Sequence, residues 1–337
     1  MYPSLNSNKM FFYFILFLST LISISSNSWL GCWVGLEINL LSFIPLISNT
    51  NNMMSSEASL KYFLTQSIAS INFLFFILLK LMWMKNFMLN NSISILINSS
   101  LLMKMGSTPF HFWFPNIIEG LSWFNSFILM SWQKIAPMIL LSYYFYSKFI
   151  IIIIIMNSII GAIGGLNQSS LRKIMAFSSI NNLSWMLASL LISENLWIFY
   201  FMMYSFLIMI LCLLFNSMNL FYINQLFFFN MNYGIKFLFL INFLSLGGLP
   251  PFLGFYSKWI IINFLIFNNF PMVCFFLIMM SLIILFFYIR IIYSSFLFNN
   301  LNLKWISIKL KNKQLFFYTL SSLISIFGII FSTFFFM

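Results

Sequence analysis

The sequence predicts an all-α, polytopic membrane protein: about eleven transmembrane helices in one domain over residues 1–337, two of the helices broken. Three observations predict it. Hydrophobic residues make up 62% of the 337 and charged residues 6%, whereas a soluble domain is roughly a quarter charged. Only Glu37, Glu57, Glu119 and Glu194 are acidic, with no Asp anywhere, too few to solubilise a chain of this size. Apolar stretches of the length that crosses a bilayer core, roughly 20 residues, follow one another through short connections.

The first two spans are 9–26, which opens on Lys9, and 28–48, with Glu37 at its centre. The third, 58–82, starts behind Ser55 and Ser56, where Glu57 and Lys61 stand one turn apart, so capping and ion pairing account for them. Span 92–112 holds Lys104 just ahead of Gly106-Ser107-Thr108-Pro109, and 122–146 holds Lys134 at its centre, just ahead of Pro137. Each proline removes a helical donor, which frees the carbonyls of Met105 and Gln133. Spans 149–167, 171–192 and 196–220 are uninterrupted. Stretch 233–263 would be about 46 Å long as a straight helix, and Leu246-Gly247-Gly248-Leu249-Pro250-Pro251 breaks it two turns before Lys258. Span 271–297 carries Arg290 near its end, and a polar loop over 298–313 leads to the last span, 314–335.

An odd number of spans puts the termini on opposite sides. Lys9, Lys61, Arg172, Lys173, Lys236, Arg290, Lys304, Lys309, Lys311 and Lys313 then share the amino-terminal side, against Lys80, Lys85 and Lys148 on the other. The positive-inside rule places the amino terminus inside. Lys80, Lys85, Lys148, Lys173 and Lys236 sit at span ends, where long side chains snorkel to water, and Arg290 reaches the interface the same way.

Composition excludes several functions. Scattered cations, net +12, form no polar face for a nucleic acid. Cys32, Cys212 and Cys274 are far apart in apolar stretches and His111 is the sole histidine, so a zinc site, an iron–sulfur cluster or a bis-His haem has no ligand set. Gly-rich dinucleotide and phosphate-loop patterns are absent as well. No cofactor is expected on this chain. Phe, Met, Ile, Asn and Lys are abundant while Ala, Asp, Val and Arg are scarce, a bias towards AT-rich codons that points to a small genome such as a mitochondrial one. The amino terminus has no Arg-rich, Ser-rich presequence.

Glu37, Lys104, Lys134 and Lys258 remain. At roughly 2.5–3.5 kcal/mol each near mid-membrane, four ions cost on the order of 10–14 kcal/mol. Pairing, internal water or a neutral protonation state must offset this, and burial disfavours the charged form. Groups held near neutrality exchange protons readily, whereas a purely structural reading makes them ion pairs that fix helix register. Freed carbonyls at membrane depth are tolerated where they line a hydrated cavity or are buried in protein, and broken helices bearing ions in two halves mark inverted-repeat ion transporters. His111, beside Pro109, is either a proton relay or a satisfied polar residue near a helix end.

Several motifs together carry a resemblance from about residue 27 to 297. They are Gly35-Leu36-Glu37-Ile38-Asn39, Met105 to Trp113, Trp132-Gln133-Lys134-Ile135-Ala136-Pro137, Gly164 to Gln168 with Leu171-Arg172-Lys173, Ser178-Ser179-Ile180, and Leu246 to Pro251 with Gly254-Phe255 and Lys258-Trp259. The chain resembles the antiporter-like, proton-translocating subunits of mitochondrial respiratory complex I, NADH:ubiquinone oxidoreductase, of the chain 2 type. The resemblance implies two inverted five-helix repeats with the first three helices of a fourteen-helix fold missing. It assigns a proton relay to Glu37 paired with Lys104, to Lys134 at the bundle core and to Lys258 towards an exit or the neighbouring subunit. Where many relatives carry an acid after the proline, Asn116 follows Pro115 here, and Glu119 lies one turn on. The resemblance also implies the mitochondrial inner membrane, with the amino terminus in the matrix and the carboxyl terminus in the intermembrane space. Its partners would be other membrane-arm and accessory subunits and inner-membrane phospholipids, with flavin, iron–sulfur clusters, NADH and ubiquinone held by other subunits. Two other functions compete: an autonomous sodium/proton antiporter, weakened by the lack of intramembrane Asp and of a second central carboxylate as hard oxygen ligands, and a structural spacer.

Overall fold

A computed structural model describes residues 7–49, 52–82, 90–231, 233–297, 303–308 and 312–334. Lys85, Lys309, Lys311 and half of the expected polar loop 298–313 lie outside the described residues. The chain divides into two compact units, Met1–Ile153 and Ile154–Met337.

In the first unit, α1 (Ser7–Ser25) and α2 (Trp29–Ile47) pack as an antiparallel pair, and the Ser28 hydroxyl caps α2 by accepting from the Gly31 amide at 3.2 Å. Helix α3 runs from Met53 to Met82 and packs on α2 and on α4 (Asn90–Met105). It starts a turn earlier than the sequence suggests. Ser55 and Ser56 therefore do not cap it but bond back to the Asn52 and Met53 carbonyls, while Glu57 and Lys61 do form their ion pair, at 2.5 Å. Lys80 reaches the end of this helix with its amine 3.9 Å from the Tyr144 ring centre.

The expected span 122–146 is two helices, α6 (Trp123–Met130) and α7 (Trp132–Tyr143), after a short α5 (Trp113–Gly120) that the hydropathy pattern hides. The interruption falls at Ser131, not at Pro137, which lies inside α7. The Ser131 hydroxyl competes for the Phe127 carbonyl at 2.7 Å, and the Lys134 amide turns to the Ser131 carbonyl at 3.1 Å. A side-chain hydroxyl inserted into the backbone ladder bends a helix in this way.

After α8 (Ser147–Leu166), the second unit is organised on α9 (Leu171–Ile192), which is buried along almost its whole length against α10 (Glu194–Met218), α13 (Leu253–Phe267) and α14 (Pro271–Leu297). Helix α9 buries Ser178, Ser179, Ser184 and Ser189, whose hydroxyls bond to carbonyls three residues back. In an apolar medium every polar group needs an internal partner, and back-bonding lets a serine-rich helix pass through one. Asn182 accepts from the Tyr200 hydroxyl of α10 at 2.8 Å.

Stretch 233–263 is two helices, α12 (Tyr233–Gly247) and α13. Lys236 is not a snorkelling end group: it is 2% exposed in the first turn of α12. A six-residue α11 (Ile223–Phe228) and the last helix, α15 (Asn312–Phe334), complete the helices. The fold is the expected helical one, with one short strand pair among its connections: β1 (Phe229–Met231) pairs in parallel with β2 (Leu303–Ile308), which lies inside the expected polar loop. Extended connections must satisfy their backbone donors and acceptors, and here two of them do so with each other. By length and composition, seven helices among the described residues suffice to cross a membrane: α1, α2, α3, α8, α9, α10 and the first part of α14; α12, α13 and α15 supply shorter apolar segments.

Candidate functional site

The two helix interruptions are built alike. At the end of α4, the Ser107 amide bonds to the Leu102 carbonyl at 3.1 Å and the Gly106 amide to Met103 at 3.3 Å. At the end of α12, the Leu249 amide bonds to Leu244 at 3.2 Å and the Gly248 amide to Ser245 at 3.1 Å. Both are Schellman terminations, in which the residue past the helix adopts the left-handed conformation. Glycine holds that position in each, Gly106 with φ +72° and Gly248 with φ +82°. A proline follows three residues later in each, Pro109 and Pro251, and prevents the helix from resuming at once.

The first interruption borders an internal cavity of about 20 Å³ in the amino-terminal unit, room for roughly one water molecule. Lys104, from the last turn of α4, and Lys134, from the first turn of α7, both line it, with Asn39, Tyr62, Gln66 and Gln133. Lys134 is 1% exposed, and its amine lies 5.4 Å from the centre of the Phe114 ring, within cation–π range. The Gln66 amide of α3 donates to the Lys104 carbonyl at 3.1 Å, which satisfies one of the carbonyls that the end of α4 leaves open. Gln133 donates to the Asn39 side chain at 3.0 Å and ties α7 to α2. The cavity is therefore polar on several sides, with two buried lysines in its lining.

Glu37 is placed differently from its expected pairing. It is half-buried on α2 and does not line the cavity, and among the described residues it makes no ion pair with Lys104 within 4 Å. His111 is buried between α4 and α5, its Nδ1 3.3 Å from the Pro109 carbonyl and its ring on Phe112, and it does not line the cavity either. Glu119 is half-buried on α5, while Asn116, one turn earlier, is exposed.

In the second unit, Lys258 turns back from α13 to the interruption. Its amine donates to the carbonyls of Gly247 at 2.9 Å and Leu246 at 3.3 Å, and it stands 5.8 Å from the centre of the buried Trp185 ring. The final carbonyls of a helix have no donor of their own, so this lysine acts as a buried cap on α12. Gly248 makes room for it. A Cβ at that position would lie 3.0 Å from Nζ and Cδ of Lys258.

Comparison with known proteins identifies the family. A family model described as "NADH:quinone oxidoreductase/Mrp antiporter, TM" matches residues 26–285. The chain is 52% identical over 303 residues to the NADH-ubiquinone oxidoreductase chain 2 of Anopheles gambiae, covering 89% of each chain. The chain 2 protein of Aedes aegypti is 49% identical over 332 residues, 97% of each. The chain belongs to the NADH-ubiquinone oxidoreductase chain 2 family. The fold agrees: a chain in the structure of respiratory complex I from Thermus thermophilus superposes with a TM-score of 0.83 at 18% identity, over 96% of this chain and 78% of that one.

For a chain 2 family member, the lysines at the interruptions stood out in the sequence because a charge beside Gly and Pro inside an apolar run is conspicuous. Tyr62 and Gln66 did not. A neutral polar residue inside a long apolar helix carries no periodic signal, and only packing shows that these two face the cavity.

Proposed function

We propose that the chain is a core membrane subunit of NADH:ubiquinone oxidoreductase, complex I, and conducts protons across the mitochondrial inner membrane, driven by electron transfer from NADH to ubiquinone on other subunits. The observation that carries this reading is the pair of buried amines, Lys104 and Lys134, on one water-sized cavity beside an interrupted helix. Neither amine is solvated by bulk water, and a charge buried without a partner is costly. In this reading the proton passes between the two lysines through the water-sized space that both line. Glu37, on α2, is the one carboxylate of this relay. His111 serves as a further relay candidate at the edge of the same interruption.

Lys258 is the corresponding station of the second unit. Its bonds to two α12 carbonyls give the charged form a seat, and release of its proton weakens that seat. The matching glycine-terminated interruptions support two inverted repeats in one transmembrane domain. Counting each interrupted helix as one crossing yields eleven, with the amino terminus in the matrix and the carboxyl terminus in the intermembrane space. Flavin, iron–sulfur clusters, NADH and ubiquinone belong to other subunits, and the neighbours of this chain are membrane-arm and accessory subunits and inner-membrane phospholipids. The test is purification after mild solubilisation. Co-migration with NADH dehydrogenase activity, and loss of proton uptake per NADH oxidised on Lys134→Met, are expected. A chain that runs free and exchanges sodium for protons would replace this reading with an autonomous antiporter.

A further inference from the structure

A surface pocket of about 490 Å³ in the second unit has the character of an anion site. Asn167, Gln168, Ser169, Asn224 and Arg290 supply its polar lining. The wall is held by backbone pairing: the Leu171 amide donates to Phe221 at 2.9 Å, the Ile223 amide to Ser169 at 3.1 Å, and Ser170 bridges Tyr222. Arg290 is held there too, with one terminal nitrogen donating to the Leu166 carbonyl at the end of α8 at 2.6 Å. A guanidinium carries five N–H donors in a planar fork, so this bond positions the group and leaves donors over. The single carboxylate in this part of the sequence, Glu194, begins α10, about 36 Å of helix from the end that leads to the pocket. No acid offsets the arginine locally.

An apolar track leads into the pocket. On α14, Phe275, Met279, Leu282 and Phe286 are all exposed and succeed one another at helical spacing, and Arg290 continues the same stripe. From Phe275 to Arg290 the track is about 22 Å long, more than the depth of one leaflet of a core about 30 Å thick. Arg290 is also about 29 Å along the helix from Pro271, which is the level of the headgroups at the far side of the membrane.

We propose that this pocket binds the phosphate of an anionic phospholipid, with an acyl chain along the Phe275–Phe286 stripe of α14. A free phosphate matches only the pocket, and an acidic protein segment does not match the apolar track. A phospholipid matches both. The site differs from general lipid contact in being held by one buttressed arginine.

Photolabelling in isolated membranes that contain the chain tests this without any assumption about its role in a complex. The probes are a phosphatidylglycerol and a phosphatidylcholine, each with a diazirine in the acyl chain. Expected is labelling of α14 between Phe275 and Phe286 with a preference for phosphatidylglycerol of about fivefold, the weight of one interfacial basic residue. The preference should vanish in Arg290→Gln, persist in Arg290→Lys, and resist excess inorganic phosphate. If Arg290→Gln does not accumulate, the comparison of the two lipids in the unaltered chain decides by itself. Equal labelling by both probes, labelling confined to a neighbouring protein that covers α14, or displacement by inorganic phosphate would each overturn the proposal.

Discussion

Gly248 lies against the Lys258 amine: a Cβ there would stand 3.0 Å from the lysine nitrogen that caps Gly247 and Leu246, closer than ordinary contact. The glycine therefore meets two demands at once. It adopts a left-handed conformation that costs other residues roughly 1–2 kcal/mol, and it admits a buried amine to the end of α12. Conformation, lysine placement and helix termination are one device.

Gly248→Ala should consequently destabilise the turn by about 1–2 kcal/mol and dislodge the amine from its carbonyls. Faster hydrogen exchange at the end of α12, together with a lower ratio of protons moved per NADH oxidised, is the expected pair of readouts in the assembled complex. Unchanged exchange would show that the lysine does not need this seat.

Lys134→Arg separates a relay from a fixed charge. Arginine keeps the positive charge and does not release its proton at attainable pH. Proton uptake per NADH should fall in proteoliposomes at matched complex content, even where assembly is normal, and an unchanged ratio would remove Lys134 from the relay. The matching Lys258→Arg variant should lose less if exit has parallel routes.

Glu37→Gln and Lys104→Met should both impair pumping in a fully assembled complex, because each alters the charge balance beside the same cavity. Glu37 sits outside ion-pair contact, so its replacement should leave assembly intact more often than that of Lys104. Failure of both to assemble would make the two residues structural.

Gln66→Met removes the donor to the Lys104 carbonyl and leaves a buried acceptor open, at a cost of about 1–3 kcal/mol. The expected result is a lower midpoint of thermal inactivation and quicker exchange in the last turn of α4. Normal stability would mean that a water replaces the amide there.

Orientation has its own test. Protease added to mitoplasts should spare the 298–313 segment and cut it in inverted vesicles if the basic connections follow the positive-inside rule. Cleavage from the intermembrane face would reverse the topology.

The membrane class and the approximate positions of the long helical stretches follow from composition and order, because crossing a bilayer demands long apolar runs and the breakers Gly106, Pro109, Gly248 and Pro251 punctuate them, while the family was legible only through the resemblance of its motifs. The unusual lysines were legible for the same reason: an ion inside such a run has no ordinary excuse. What the one-dimensional pattern does not encode is which neutral group faces which neighbour. The kink at Ser131 instead of Pro137 depends on a hydroxyl finding the Phe127 carbonyl. The burial of Lys236, the exclusion of Glu37 and His111 from the cavity, and the arrival of Tyr62 and Gln66 on its wall depend on how helices rotate against one another. Hydropathy is nearly uniform around these helices, so no apolar stripe announces the inner face. The sequence by itself determined that the chain lives in a membrane with ions at its broken helices; packing alone decided that Lys104 and Lys134 share a space of one water while Lys258 closes the end of a helix.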